Sequence, residues 1–146
     1  MTLPDTIEIR FDEGSPSPRF EKIRAALTSF NEKALGKKRK TALMTACIGD
    51  EVIGGISFKW YGESAVLDIV AIEEKWQRRG IGTRLLEAVE KELQRQGCRQ
   101  ICVGTDAFQA PDFYRKLGYQ QAVTIPDYIN GHDHLIFRKK IGKGKK

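Results

Sequence analysis

Hydrophobic and polar residues follow two different periods along the chain, and each change of period marks a new secondary-structure element. Apolar residues recur every three or four positions from Ser17 to Gly36 and again from Gly80 to Gly97, which predicts two amphipathic helices. Pro18 suits the first helical position after a serine cap, and a glycine is a typical helix stop. The remaining apolar segments are shorter and have the period of strands.

Strand-like segments are runs in which apolar residues alternate with polar ones or follow each other almost without a break. Ala65–Ile72 is nearly continuously apolar, which is typical of a strand covered on both faces. A short helix is predicted at Ala110–Leu117, and the predicted strands are Ile7–Phe11, Ala42–Ile48, Val52–Tyr61, Ala65–Ile72, Gln100–Thr105, Tyr119–Ile125 and His134–Lys140. Hairpins followed by a strand–helix–strand crossover predict a single-domain α/β fold whose mixed, mostly antiparallel sheet has parallel strands in the middle and is flanked by helices.

Length and composition limit the class of protein. A chain of 146 residues with 40% hydrophobic and 30% charged residues is typical of one globular domain. We expect a domain at 1–140 and a basic, flexible tail at 141–146. No apolar run approaches the ~20 residues of a membrane helix, and the first residues lack a signal-peptide pattern. We therefore expect no membrane association and a cytoplasmic location.

Charge and cysteine content limit the classes of ligand and of stabilising site that the chain is expected to have. The net charge of +6 favours an anionic ligand such as a phosphorylated cofactor, an acidic substrate or nucleic acid. The three cysteines show no ligand spacing, so neither a disulfide framework nor a structural metal site is predicted. A homodimer is compatible with these features.

The densest candidate for chemistry is the segment Gln77-Arg78-Arg79-Gly80-Ile81-Gly82-Thr83, between the apolar strand and the second amphipathic helix. Glycines let the backbone approach a ligand, and the free amides of a helix N-terminus attract a phosphate or pyrophosphate. A P-loop would end in Gly-Lys-Ser/Thr, and a Rossmann fingerprint would need a third glycine where Leu85 stands. Alternatively, the glycines only tighten the strand-to-helix turn.

The order of these motifs resembles that of the GCN5-related N-acetyltransferase (GNAT) superfamily. Gln-x-x-Gly-x-Gly follows an apolar strand and precedes a helix, a further strand and Phe113-Tyr114-Arg115-Lys116-Leu117-Gly118-Tyr119. Phe108-Gln109-Ala110-Pro111 and Gly131-His132 resemble a bacterial subgroup of that superfamily. The similarity extends from the Gly49-Asp50 hairpin to the last strand.

The resemblance implies acetyl-CoA as cosubstrate, without a metal, in a cleft where two central strands separate. Tyr114 matches the family's general acid. The residues implied in cofactor binding are Val70 and Ile72 on the strand, Gln77, Arg78, Arg79, Gly80, Ile81, Gly82 and Thr83 in the loop and helix, and Gln109, Phe113 and Lys116 farther along. Gln109 stands in for an asparagine that the family often has in this interval.

An acetyltransferase acting on an amine also needs a group that takes the amine proton. Asp68 is the candidate, because a carboxylate in so apolar a strand is costly unless it is paired, hydrogen-bonded or functional. Alternation along the strand predicts that Asp68 shares one face with Val66, Val70 and Ile72. A structural ion pair is the alternative. His132-Asp133-His134 has no third metal ligand nearby, so we expect it to line the acceptor pocket or cap a turn.

These observations predict an acetyl-CoA-dependent N-acetyltransferase that moves acetyl directly to a primary amine of a small molecule or peptide. Nucleic acid is not the expected partner, because only Lys37–Lys40 forms a basic cluster within the folded region. The alternatives are a toxin-like acetyltransferase of aminoacyl-tRNA and a non-catalytic acyl-CoA-binding module.

Overall fold

The computed structural model describes residues 7–14 and 17–142. The chain divides into two compact units, the first ending at Gly36 and the second beginning at Lys37. In the first unit, Pro18–Leu35 forms helix α1, with Ser17 at its N-cap and Gly36 in the left-handed conformation at its C-cap, at φ 66°. This helix was predicted from its period and its glycine stop, and the prediction is confirmed. No residue of α1 is buried.

Ile7–Phe11 forms no strand, so the prediction there is wrong. The segment has no regular secondary structure, and Ile9 and Phe11 are 92% and 84% exposed. Alternation shows only that a segment would suit a pleated surface. A strand also needs a neighbour that pairs with its amides and carbonyls.

A six-stranded mixed sheet dominates the second unit. Its elements are β1 (Lys40–Ile48), β2 (Glu51–Tyr61), β3 (Ser64–Ile72), a 3₁₀ turn (Glu74–Trp76), α2 (Ile81–Arg95), β4 (Gln100–Asp106), α3 (Pro111–Lys116), β5 (Gln120–Ile129) and β6 (His132–Lys140). The strand order is β1-β2-β3-β4-β6-β5, and β3–β4 is its parallel pair. The α/β fold with a mixed sheet that the sequence predicts is confirmed.

The core lies between one face of the sheet and helix α2. Leu85, Leu86, Val89 and Leu93 are the buried residues of the helix, and their spacing of three and four places them on one stripe. They meet a buried sheet face to which the strands contribute Ile56, Phe58, Trp60, Ala65, Leu67, Ile101, Val103, Leu135 and Phe137. The opposite face of the sheet carries the polar side chains described below.

The two parallel strands separate soon after they meet. Pairing begins at Ser64 with Gln100 and ends at Leu67 with Val103, although both strands continue for several residues. Past that point β3 still pairs with β2, and β4 still pairs with β6. The facing edges of β3 and β4 therefore have backbone groups free to pair with an inserted ligand.

A β-bulge in β3 coincides with the separation. Leu67 pairs with Phe58 and Ile69 with Ser57, which leaves Asp68 as an extra residue. Before the bulge, Ala65 and Leu67 are core residues, and after it Val70 and Ile72 pack against the same core. The core-facing positions thus change from odd to even numbers at Asp68. One extra residue exchanges the two faces of a strand. The sequence-based placement of Asp68 on the same face as Val70 and Ile72 is therefore wrong.

Two other predictions, the flexible tail and the absence of a membrane helix, are compared with the described residues only. Most of the predicted tail at 141–146 lies outside the described residues, which end at Gly142. Within residues 7–14 and 17–142, no helix has the length and apolar character to span a bilayer.

We expect Leu86→Ala to lower the free energy of unfolding by about 2–5 kcal/mol, because it removes a fully buried side chain and leaves a cavity. The matched control is Glu87→Ala on the exposed side of the same helix, which should change stability by about 0.5 kcal/mol or less. Urea unfolding of both variants measures the difference. Equal losses would contradict the packing described for α2.

Candidate active site

The loop between β3 and α2 is tied to the strand that precedes it. The side-chain amide of Gln77 donates a hydrogen bond to the carbonyl of Ile72, at 3.0 Å. Arg78 and Gly80 both have positive φ, 62° and 80°, a conformation that costs a non-glycine residue free energy. The loop is thus held in a tight turn that begins α2 beside the end of β3.

The first turn of α2 leaves its amides available to an anion. Gly80 is the N-cap, no side chain of the described residues caps the helix, and its first turn has no acidic residue. A Cβ built on Gly80 would meet no atom within 4 Å. Unpartnered amides and the helix dipole favour negative charge at this end. These features fit a pyrophosphate held by Gly80, Ile81, Gly82 and Thr83.

The exposed guanidinium groups of Arg78 and Arg79 flank this helix end, and Arg79 lies over the ring of Trp76, 5.1 Å from its centroid. A cation–π contact restricts a long side chain without neutralising its charge. Lys116, at the end of α3, is also exposed. The resemblance implies that these cations contact the cofactor, which stays a prediction.

Phe113 joins α3 to the glycine-rich helix end. A Cβ built on Gly82 would lie 3.2 Å from Cε1 of Phe113 and 3.9 Å from Cγ1 of Ile72. Gly82 therefore lets α2, α3 and the end of β3 approach one another closely. This contact brings Phe113, Gly82 and Ile72 together, and the cofactor contacts that the resemblance implies for them stay a prediction.

Tyr114 lies in an aromatic cluster at the other side of α3. Its ring is 5% exposed, and its neighbours are Phe113, Tyr119 and Phe137, with centroids 5.1–5.9 Å away. Burial disfavours the phenolate and raises the pKa of Tyr114 to about 12. The phenol therefore stays protonated at physiological pH, as a proton donor must.

A charged network holds the neighbouring Tyr119. Its hydroxyl donates to Oε2 of Glu90 at 2.7 Å, and Nζ of Lys139 lies 3.1 Å from Oε1 of the same carboxylate. Lys139 also donates to the carbonyl of Leu117, at 2.7 Å. Burial and the Glu90 carboxylate raise the pKa of Tyr119. The network thus fixes the C-terminal end of α3 against α2 and β6.

Asp68 is paired and half-exposed. Its Oδ1 lies 3.4 Å from Nζ of Lys59, and the two side chains are 42% and 37% exposed. Lys59 stands between the core residues Phe58 and Trp60 on β2, so the pair lies on the face opposite α2. This is the ion pair that the sequence left open as an alternative, and a role for Asp68 as base stays a prediction.

Gln109 acts within its own loop. Its Oε1 accepts hydrogen bonds from the hydroxyl of Thr105, at 3.1 Å, and from the backbone amide of Asp106, at 2.8 Å. The side chain therefore closes the turn at the end of β4. Its predicted contact with the cofactor is not tested by this geometry.

Sequence reasoning missed the partner of His134. Nδ1 of His134 lies 2.8 Å from Oδ1 of Asp106, whereas His132 packs edge-on against Phe108, with ring centroids 5.0 Å apart. Asp106 and His134 lie opposite each other on β4 and β6, a proximity that only the strand register reveals. In the part of the chain that the structure describes, no three or more metal-ligating side chains cluster.

We expect the free energy of unfolding to fall between pH 10 and pH 12, because the unfolded chain ionises Tyr114 from its ordinary pKa of 10.0 and the folded chain only from about 12. The stabilisation is complete below pH 10 and lost as the pH rises through 12. Two pKa units correspond to about 2–3 kcal/mol. In urea unfolding at several pH values, Tyr114→Phe should show a decline that is smaller by this amount. An unchanged decline would contradict the buried phenol.

Comparison with known proteins places these features in a family. Residues 6–119 match the Acetyltransferase (GNAT) family. The chain is 31% identical to the blasticidin-S acetyltransferase of Streptomyces morookaense over 90 residues, which are 60% of this chain and 63% of that protein. The match thus spans less than two thirds of the relative's length.

Solved structures share the fold. An acetyltransferase from Bacillus cereus ATCC 14579 superposes with a TM-score of 0.74 at 24% identity, over 90% of this chain and 97% of that one. An aminoglycoside 6′-N-acetyltransferase in complex with coenzyme A gives 0.64 at 20% identity, over 89% and 95%. The match over most of the chain, together with the parted strands and the glycine-rich helix end, shows that this protein belongs to the GNAT acetyltransferase family.

Proposed function

We propose that this protein transfers acetyl from acetyl-CoA directly to a primary amine of a small molecule or peptide. The observation that carries the proposal is the cleft itself. Strands β3 and β4 stop pairing after Leu67 and Val103, an uncapped glycine-rich helix end lies beside the free end of β3, and α3 brings Tyr114 next to Phe113. Family membership supports the reaction class.

Acetyl-CoA would enter this cleft with its pyrophosphate on the first turn of α2. The amides of residues 80–83, with Arg78 and Arg79 beside them, supply the positive end of the site. The backbone of Val70 and Ile72 would pair with the pantetheine arm, because their strand has lost its neighbour on that side. The thioester then lies where the two strands part, within reach from both faces of the sheet.

Transfer is assisted by a group that protonates the departing sulfur and by a group that removes the proton of the amine. The amine nitrogen attacks the thioester carbonyl, the new C–N bond forms and the C–S bond breaks. Tyr114 gives its phenolic proton to the departing sulfur, and a base removes a proton from the nitrogen. Because attack is direct, the protein itself forms no covalent bond to the acetyl group.

A small-molecule amine is the acceptor class that a relative supports, since the relative's name specifies acetylation of blasticidin S. An RNA-linked acceptor is the second candidate, supported by a basic groove of about 380 Å³. Lys37, Lys38 and Lys40 line it together with Trp60 and Glu63.

A cytoplasmic location and a homodimer also stay predictions.

One assay tests the proposal and separates these candidates. Release of free thiol from acetyl-CoA is measured against a panel of antibiotic amines, polyamines, peptides and aminoacyl-tRNA, with the mass of each product recorded. We expect an added acetyl group on an amine of a small molecule or peptide. Acetylated tRNA that is lost when Lys37, Lys38 and Lys40 are neutralised would support the second candidate, and coenzyme A binding without transfer would support a regulatory module.

We expect Gly82→Asp to weaken acetyl-CoA binding by about tenfold or more, because it places an anion at the positive end of α2. Gly82→Ala is the matched control, since it adds the same Cβ near Phe113 without the charge. Isothermal calorimetry with acetyl-CoA measures both. Equal affinities of the two folded variants would remove the helix end from the site.

We expect Tyr114→Phe to lower kcat by about 10²–10⁴-fold, with little change in acetyl-CoA affinity, because the substitution removes the hydroxyl and keeps the buried ring. Steady-state kinetics with the acceptor from the panel, together with calorimetry, separates the two effects. A variant with the wild-type kcat would show that another group protonates the sulfur.

A further inference from the structure

A histidine–carboxylate pair lies on the sheet face opposite α2. Nδ1 of His134 and Oδ1 of Asp106 are 2.8 Å apart, and the two side chains are 23% and 18% exposed. An ionised carboxylate only accepts hydrogen bonds. Nδ1 therefore carries the proton that it shares with Asp106, which leaves Nε2 of the neutral ring with a free lone pair.

The imidazole is placed at the point where the central strands part. Val103 is the last residue of β4 that pairs with β3, and Gly104 comes next. A Cβ built on Gly104 would lie 2.9 Å from Nε2 and 3.2 Å from Cε1 of His134. The absence of a side chain at Gly104 thus makes room for the ring and places Nε2 against the first residue beyond the split.

The face that carries His134 follows from the alternation of β4. Val103 and Thr105 are 3% and 4% exposed on the core face, so Gly104 and Asp106 face the other way. Tyr114 belongs to the core side. The proposed acid and the imidazole are therefore on opposite faces of the sheet.

Neighbouring groups hold the pair in place. Gln109 accepts a hydrogen bond from the amide of Asp106, at 2.8 Å. The ring of Tyr128 lies over His134, with centroids 4.6 Å apart at 32°, and the irregular end of β5, where Asp127 has φ 48°, brings it there. The amide of Asp127 donates to Oδ1 of Asp133, at 3.1 Å. The imidazole thus has a fixed orientation beside an aromatic wall that could contact an organic amine.

We propose that His134 is the general base that takes the proton of the acceptor amine, and that Asp106 is the positioning residue that fixes its tautomer. The inference deepens the proposed function and rests on it. The amine approaches from the face of His134, its nitrogen bonds to the thioester carbon, and the N–H proton passes to Nε2. The C–S electrons go to sulfur, which takes the proton of Tyr114. Solvent then removes the proton from His134 and restores that of Tyr114.

Asp68 is the competing candidate on the same face. Asp68 follows Leu67, the last residue of β3 that pairs with β4. Gly104, against which the His134 ring lies, follows Val103, the last paired residue of β4. Asp68 and His134 are therefore the candidates on the two sides of the gap. The carboxylate of Asp68 has the Lys59 ammonium as its partner, whereas the carboxylate of Asp106 is paired with an imidazole that has a second, free nitrogen. The proton therefore goes to His134.

The first test measures the tautomer without any need for turnover. The chain has two histidines, so a long-range proton–nitrogen NMR spectrum above neutral pH shows two imidazoles, and His132→Gln assigns them. We expect the proton of His134 on Nδ1, beside Asp106, and none on Nε2. A proton on Nε2 instead would overturn the proposal.

The second test is chemical rescue. We expect His134→Ala to lower kcat by about 10²-fold or more with a smaller effect on the KM for acetyl-CoA, and added imidazole to restore part of the loss. His132→Ala is the comparison variant, and added imidazole should not raise its kcat, because His132 packs against Phe108 and not against Gly104. Asp106→Asn and Asp68→Asn should each lower kcat by less than His134→Ala does.

The outcomes separate the two proposals. A folded His134→Ala variant that keeps the wild-type kcat, or that imidazole does not rescue while Asp68→Asn loses the activity, overturns the assignment of the base and leaves the proposed function standing. A wild-type protein that binds acetyl-CoA but acetylates no amine of the panel overturns both.

Discussion

The separation of β3 and β4 is the constraint on which the rest of the site depends. Two parallel strands that stayed paired would use all of their backbone hydrogen bonds on each other. Here pairing ends at Leu67 and Val103, and each strand keeps its other neighbour, so the gap opens without unfolding either strand. The gap leaves backbone groups of both strands available to pair with a ligand.

Packing around α3 and a bulge in β3 fix the elements that follow the two central strands. At one end, Gly82 admits Phe113 and Ile72 to close contact, which fixes α3 against the start of α2. At the other side of α3, Glu90, Tyr119 and Lys139 form a partly buried network. The extra residue in β3 also turns the apolar side chains of Val70 and Ile72 back toward the core. Without that bulge, the end of the strand would present its apolar side chains to the polar face.

The sheet divides the chemistry between its faces. The core face carries a buried phenol whose surroundings keep it protonated, and the opposite face carries an ion pair and a histidine–carboxylate pair. A proton donor and a proton acceptor in one small cavity would tend to neutralise each other directly. In the proposed reaction the thioester lies between the two groups, which keeps them from that contact.

The sequence by itself determined the order and kind of nearly all the elements, the family, and the placement of the glycine-rich segment at the start of α2 and of Tyr114 in α3. These depend on local information: the period of apolar residues, a glycine after a helix, and motif spacing. The prediction of a strand at Ile7–Phe11 was wrong, because alternation was present without a pairing neighbour. The predicted faces of Val70 and Ile72 were also wrong, because one extra residue in β3 reverses which side chains face the core. Only the tertiary structure decided that Asp68 meets Lys59 and that His134 meets Asp106. Both contacts join residues on different strands, and their pairing depends on register and bulges, which the sequence of either strand does not encode alone.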